Sequence, residues 1–232
     1  MLILIFSIIL VVGLVIAGSC YGYLLSTYNK YSQEDADIDS NAYDFVKACI
    51  SYYGLKTKVV LIEGELTDAY LIKSDVIALS PKVADGKSVA DISVACHELG
   101  HAMQKHDESA WLAIDILFSA LSKMANFLLP IALITSLVLV FIESVSFVAP
   151  IVFYVAIGLW FLTLMFKIVV IPLELDASKR AYKVLKENNI FNSEELKATK
   201  KVLNAAALTY VGSLFANLYK FICKIKSLFR RD

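Results

Sequence analysis

Long stretches without charge restrict this chain more than any other feature. Residues 1 to 25, 126 to 142 and 147 to 171 are almost free of charged side chains, and 205 to 222 is apolar up to Lys220. Crossing the roughly 30 Å of bilayer hydrocarbon takes about 20 apolar residues, with a lower bound near 17. Three runs meet that length and the fourth is marginal. With 58% hydrophobic residues and a formal charge of zero, the chain is too apolar for an ordinary soluble domain. The expected fold is a mainly α, multi-pass membrane helical bundle. The first run lacks the positively charged start of a secretory signal and is too long for its apolar core, so it reads as an uncleaved anchor. Cys20, Cys49, Cys96 and Cys223 form no C-x-x-C pair and read as small buried hydrophobes, not as a disulfide or thiolate-zinc framework.

The polar remainder divides the chain into four parts: a transmembrane anchor at 1–25, a mixed helix-and-strand domain at 26–110, an amphipathic helix and transmembrane hairpin at 111–171, and a helix plus a membrane-associated helix at 172–232. In the second part, Ala42, Phe45, Val46, Cys49 and Ile50 recur at helical spacing, and Gly54 is a natural stop. The short β-branched runs "KVVLIEG", "AYLI" and "VIALS" read as strands of a small antiparallel sheet. Ser88 with Asp91 resembles a capping box that starts a helix through residue 106. Apolar residues at 111, 114, 118 and 121 mark an amphipathic stretch before the second run. A very short turn, "ESVS", makes the second and third runs a helical hairpin, which returns the chain to the side it left. Pro172 is expected to begin a new helix that Asn188 and Asn189 end, and Asn192 with Glu195 to cap the next. The hairpin therefore puts residues 26–110 and 172–200 on one face of the membrane, where they could share a site.

The stretch "ACHELGHAMQ", residues 95–104, carries the chemistry. His97 and His101 are i and i+4 on a helix and lie on one face, so two imidazoles can reach one cation. Zn2+ accepts nitrogen and carboxylate ligands in tetrahedral geometry, and a catalytic site keeps one position for water. The pKa of such a water falls toward about 7. In H-E-x-x-H the glutamate, here Glu98, takes that water's proton as general base. His106 lies about 140° further round the helix and reads as an exposed helix-end histidine, so the third ligand must be a distant carboxylate. Glu174 and Asp176 in "PLELDASKRA" are the candidates, because charge this close to an apolar run is costly unless paired or metal-bound. Asp176 has the alternatives of supporting a ligand or pairing with Arg180 at i+4.

"HELGHAMQ", "IPLELDASKRA", "KVLNAAALTYV" and "GELTDAY" together resemble the signature stretches of the YugP-like neutral zinc metallopeptidases of bacteria, in order and spacing from residue 28 to about 218. Those proteins are similar to the HtpX and CAAX-prenyl-protease metallopeptidases, whose third ligand is the glutamate of an E-x-x-A-D pattern. The resemblance implies Glu174 as that ligand. It also implies that Ser178 stands where the wider group has aspartate, so the support of the ligands differs here. Ala69 stands where the family stretch carries a histidine, so no role passes to it. The implied protein is a membrane-anchored zinc endopeptidase of gluzincin type, with a zincin-like α+β element.

The expected function is peptide-bond hydrolysis at the membrane surface, with Zn2+ held by His97, His101 and Glu174 and with Glu98 as base. The expected partners are a peptide or membrane-protein substrate and the lipid bilayer, with no nucleic acid. Asp85, Lys87, Asp91, Lys105, Asp107 and Glu108 crowd the motif, which argues against cleavage within the bilayer. The competing reading is a non-catalytic scaffold or regulator with a structural zinc, which would need a fourth ligand. Seven Lys/Arg in 172–203, against none in the hairpin turn, place the zinc site on the cytoplasmic side of a bacterial membrane. The basic tail opposes this if 205–222 crosses fully, so that run either packs without crossing or the topology is inverted.

Overall fold

The computed structural model describes residues 2–64 and 67–229, with side chains from Val12 onward except at 14, 211 and beyond Ser213. The described chain is mainly helical with one small sheet. Its elements are α1 (Leu2–Tyr31), α2 (Ala42–Tyr52), β1 (Lys58–Leu61), β2 (Ala69–Leu71), β3 (Val76–Leu79), α3 (Pro81–Asp85), α4 (Val89–His106), α5 (Ala110–Val140), α6 (Ala149–Glu187) and α7 (Ser193–Phe229), with a 3-10 turn at Glu143–Val148 between α5 and α6. They form two compact units. One contains Cys20–Leu112 and Pro172–Thr209; the other contains Met1–Ser19, Ala113–Ile171 and Tyr210–Asp232.

The first unit holds the polar parts of the chain around one core. The apolar positions read from 42 to 50 do become the inner face of α2, with Ala42, Phe45, Val46 and Ile50 buried. Asn41 caps the helix through Asp44 N–H, and Gly54 follows it at φ 65°, a conformation that costs a glycine little. Ile77 and Leu79 of β3, Ile92, Ala95 and Leu99 of α4, Ala181 and Leu185 of α6, and Val202 and Leu203 of α7 complete the core. Fully burying one such Leu or Ile contributes about 1.5–3 kcal/mol. Ser88 caps α4 by accepting from Asp91 N–H. Asp91 is itself buried and accepts from Tyr28 Oη and Ser88 Oγ.

Two expectations are corrected. The sheet is mixed, not antiparallel: its order is β1-β3-β2, with β1 parallel to β3 and β2 antiparallel to β3. β3 has the most buried burial pattern of the three strands and takes the centre, whereas β1 is largely exposed. Only β2 and β3 are joined by a tight connection, with Asp75 at φ 55°; the seven residues between β1 and β2 leave β1 free to reach the far edge. Pro172 does not begin a helix but lies inside α6, which runs unbroken from Ala149. An interior proline forfeits one backbone hydrogen bond and crowds the preceding turn. Neighbouring structure can outweigh that loss, and the helix continues. One short helix, α3, went unread although Pro81 occupies its first turn, a favoured position for proline.

The C-terminal limits were legible. Asn189 sits at φ 52° just beyond α6. Asn192 and Glu195 form a reciprocal box: Asn192 Oδ1 accepts from Glu195 N–H, and Glu195 Oε2 accepts from Asn192 N–H. The other oxygen of Glu195 accepts from Asp37 N–H at 2.8 Å, which ties the acidic connector to α7.

In the second unit, Leu129 and Leu133 of α5 pack with Ala156 of α6, and Ser136 Oγ donates to the Ala149 carbonyl at 3.0 Å. Two helical segments among the described residues, Ala110–Val140 and Glu143–Glu187, are long and apolar enough to cross a membrane. The side chains of the expected anchor as far as Val11, and those of the 205–222 run beyond Ser213, lie outside the described residues.

Candidate metal centre

Three side chains converge within the first unit. His97 Nε2 lies 3.0 Å from Glu174 Oε2, and His101 Nε2 lies 3.5 Å from the same oxygen. The ligand atoms of His97, His101 and Glu174 all fall within 4.8 Å of one another. Donors about 2.0–2.1 Å from a tetrahedral Zn2+ are separated by roughly 3.3 Å, so these two separations are close to edges of such a polyhedron. The two imidazoles meet edge to face, with ring centroids 4.8 Å apart. Among the described residues no fourth His, Cys, Asp or Glu joins the group.

The local architecture follows from the sequence. The i, i+4 spacing stacks both histidines on one face of α4. α6 then approaches α4 closely because Gly100 has no side chain: a Cβ there would stand 2.4 Å from the Ala177 carbonyl oxygen. That approach carries Glu174, one turn before Ala177, onto the imidazoles. Asp176 does not join the group. It accepts from Arg180 Nε at 2.9 Å and from Gln104 Nε2 at 2.8 Å, so the i+4 pairing with Arg180 holds, and Asp176 reaches the cluster only through Gln104. Arg180 also bonds Asp107, just past the end of α4.

Each imidazole has a partner for its remote nitrogen. Ser178 Oγ lies 3.2 Å from His97 Nδ1, at the position where the resemblance puts aspartate in the wider group. Gln104 Oε1 lies 2.9 Å from His101 Nδ1. Sequence reasoning missed Gln104, because a glutamine carries no ligand pattern; its place three residues after His101 was the only signal. His106 is exposed at the end of α4, as expected, and plays no part.

Charge inside the cluster is tightly balanced. Burial opposes ionisation of Glu174, yet its hydrogen bonds to His101 and His97 and the attraction of both rings outweigh it and lower its pKa to about 2. Burial likewise disfavours a charged His101, but Glu174, Glu98 and Gln104 raise its pKa to about 9. Glu98 is 7% exposed. Burial pushes its carboxyl above the usual range; His97 and His101 pull it down, while Glu174 and Asp68 push it up. Asp68 anchors the sheet beside it, accepting from Ser80 N–H and Oγ. Cys96 is fully buried, and burial raises its thiol pKa. The expected burial thus holds for Cys96, whereas Cys20 and Cys49 are only half-buried and Cys223 has no described side chain.

The donor set, two imidazoles and one carboxylate, suits zinc and leaves a tetrahedral position open. Comparison with known proteins points the same way. A family model described as "Putative neutral zinc metallopeptidase" matches residues 4–228. The chain is 30% identical over 198 residues to the "Putative membrane protease YugP" of Bacillus subtilis (strain 168), covering 85% of this chain and 84% of that relative. No solved structure matches. The chain therefore belongs to the neutral zinc metallopeptidase family that the model describes.

Proposed function

We propose that the protein is a multi-pass membrane endopeptidase that hydrolyses peptide bonds at the cytoplasmic membrane surface, with zinc held by His97, His101 and Glu174. The observation that carries this reading is the three-donor cluster with a buried glutamate, Glu98, beside it. When bound, zinc supplies a Lewis acid that polarises a carbonyl and lowers the pKa of water toward about 7. Glu98, its carboxyl raised by burial, takes the proton of the attacking water and delivers it to the leaving amine. Glu174 contributes negative charge and fixes both Nε2 atoms, while Ser178 and Gln104 hold the remote nitrogens. The substrate class is a peptide or an extended segment of a membrane protein.

The membrane reading is supported by the outer faces of α5 and α6, where Phe127, Ile131, Ile134, Ile151, Tyr154 and Phe161 are exposed, an apolar surface that suits lipid. The cytoplasmic orientation rests on the basic residues of 172–203. The three-donor count favours a catalytic over a structural zinc, because structural sites are closed by four ligands.

Glu98→Gln separates an enzyme from a scaffold. In full-length protein the variant should bind zinc as wild type does and lose about 10²–10⁴-fold in peptide hydrolysis. Hydrolysis at the wild-type rate with zinc bound would remove Glu98 from the mechanism.

A further inference from the structure

Resting on the metal reading above, we propose that Gln104 is the positioning residue of the site. It fixes the His101 tautomer and sets the register between the two helices that supply the ligands. Gln104 is fully buried on α4. Its Nε2 lies 2.9 Å from the Leu173 carbonyl and 2.8 Å from Asp176 Oδ2. Both are acceptors only, so the amide NH2 must face them. The carbonyl Oε1 must then face His101 Nδ1, at 2.9 Å. An amide oxygen only accepts, so Nδ1 carries the hydrogen and donates it. Once His101 gives up its second proton, its lone pair therefore lies on Nε2, the nitrogen that points to Glu174.

The same amide spans the ligand on the other helix. Leu173 and Asp176 flank Glu174 within one turn of α6, so Gln104 grips that turn while holding His101. Any slide of α6 along α4 that displaced Glu174 would also break both Nε2 bonds. Arg180 holds Asp176 from the far side and binds Asp107 beyond the end of α4, which closes the brace. The partners do not depend on Gln104 for their own satisfaction: Asp176 keeps Arg180, and Leu173 sits within a helix. Gln104→Met, which preserves length and bulk, therefore removes the brace without emptying the core.

The test uses full-length protein in detergent. With zinc bound, nitrogen–proton correlation spectra of the three histidines should show His101 protonated at Nδ1; protonation at Nε2 overturns the proposal. Gln104→Met should lower zinc affinity about 10–100-fold, measured by competition with a chromophoric chelator. It should also shift the visible spectrum of the cobalt-substituted protein, while the metal-free melting temperature stays within a few degrees of wild type. Wild-type affinity and an unchanged cobalt spectrum in Gln104→Met overturn the positioning role, whatever happens to melting. His101→Ala serves as the separate control. If it binds zinc as tightly as wild type, the metal site itself has been misplaced, which is a different failure from an unimportant Gln104.

Discussion

At the residue scale, the cluster holds one exchangeable proton too many for a metal. In the metal-free protein His101 stays protonated up to about pH 9 and Glu174 stays ionised down to about pH 2. Zinc needs a neutral imidazole, so binding expels at least the His101 Nε2 proton at neutral pH. Apparent zinc affinity should therefore rise by at least tenfold per pH unit between pH 7 and 8, measured by competition titration; an affinity flat over that range would contradict the assigned protonation. Stability without metal follows the opposite trend on the alkaline side. The raised His101 stabilises the fold fully below its ordinary pKa of 6.5, and that contribution is lost as pH climbs through about 9. The lowered Glu174 stabilises above 4.5, and its contribution is lost as pH falls toward about 2. Between those ordinary values these two groups contribute no pH dependence, and the raised carboxyl of Glu98 makes metal-free stability fall as pH climbs above 4.5.

At the scale of the element, the part played by Gly100 can be tested. Alanine is the better helix former by about 1 kcal/mol, yet a Cβ there meets the Ala177 backbone at 2.4 Å. Overpacking of this kind costs about 1–3 kcal/mol, and backbone cannot swing aside as a side chain can. Gly100→Ala should leave melting within several degrees but weaken zinc binding at least tenfold, because α6 must retreat with Glu174. Unaltered zinc affinity would show that the two helices have slack.

Elements also show where the sequence could be read. Caps and stops at Gly54, Ser88, Asn189 and Asn192 were legible because their signals lie within a few residues. His97, Glu98 and His101 were legible for the same reason: one turn of helix writes the motif. Glu174 could be narrowed only to two nearby carboxylates, and the choice came from resemblance. The direction of β1 in the sheet and the continuity of α6 through Pro172 were misread, since both depend on contacts between distant parts of the chain. Gln104 was invisible, because its importance lies in three partners that no local pattern specifies.

For the whole molecule, the outer faces of α5 and α6 and the basic segment at 172–203 make a claim about orientation. With all four native cysteines replaced by alanine, a single cysteine at position 183 or 197 should resist an impermeant thiol reagent added to intact cells. The same cysteine should react in inverted vesicles. Labelling from outside would reverse the proposed topology. The protein should also remain in the membrane fraction after a carbonate wash, as a spanning chain does and a peripheral one does not.

The third ligand comes late in the chain. Glu174 lies 77 positions after His97, beyond α5 and the apolar stretch of α6. At about 5–20 residues per second, a ribosome needs about 4–15 s to pass from one to the other. During that interval the nascent chain holds two imidazoles with no carboxylate to complete them. A chain that stops before residue 174 thus carries the two histidines without the third donor of the cluster, and the site is complete only once that part of α6 has been made.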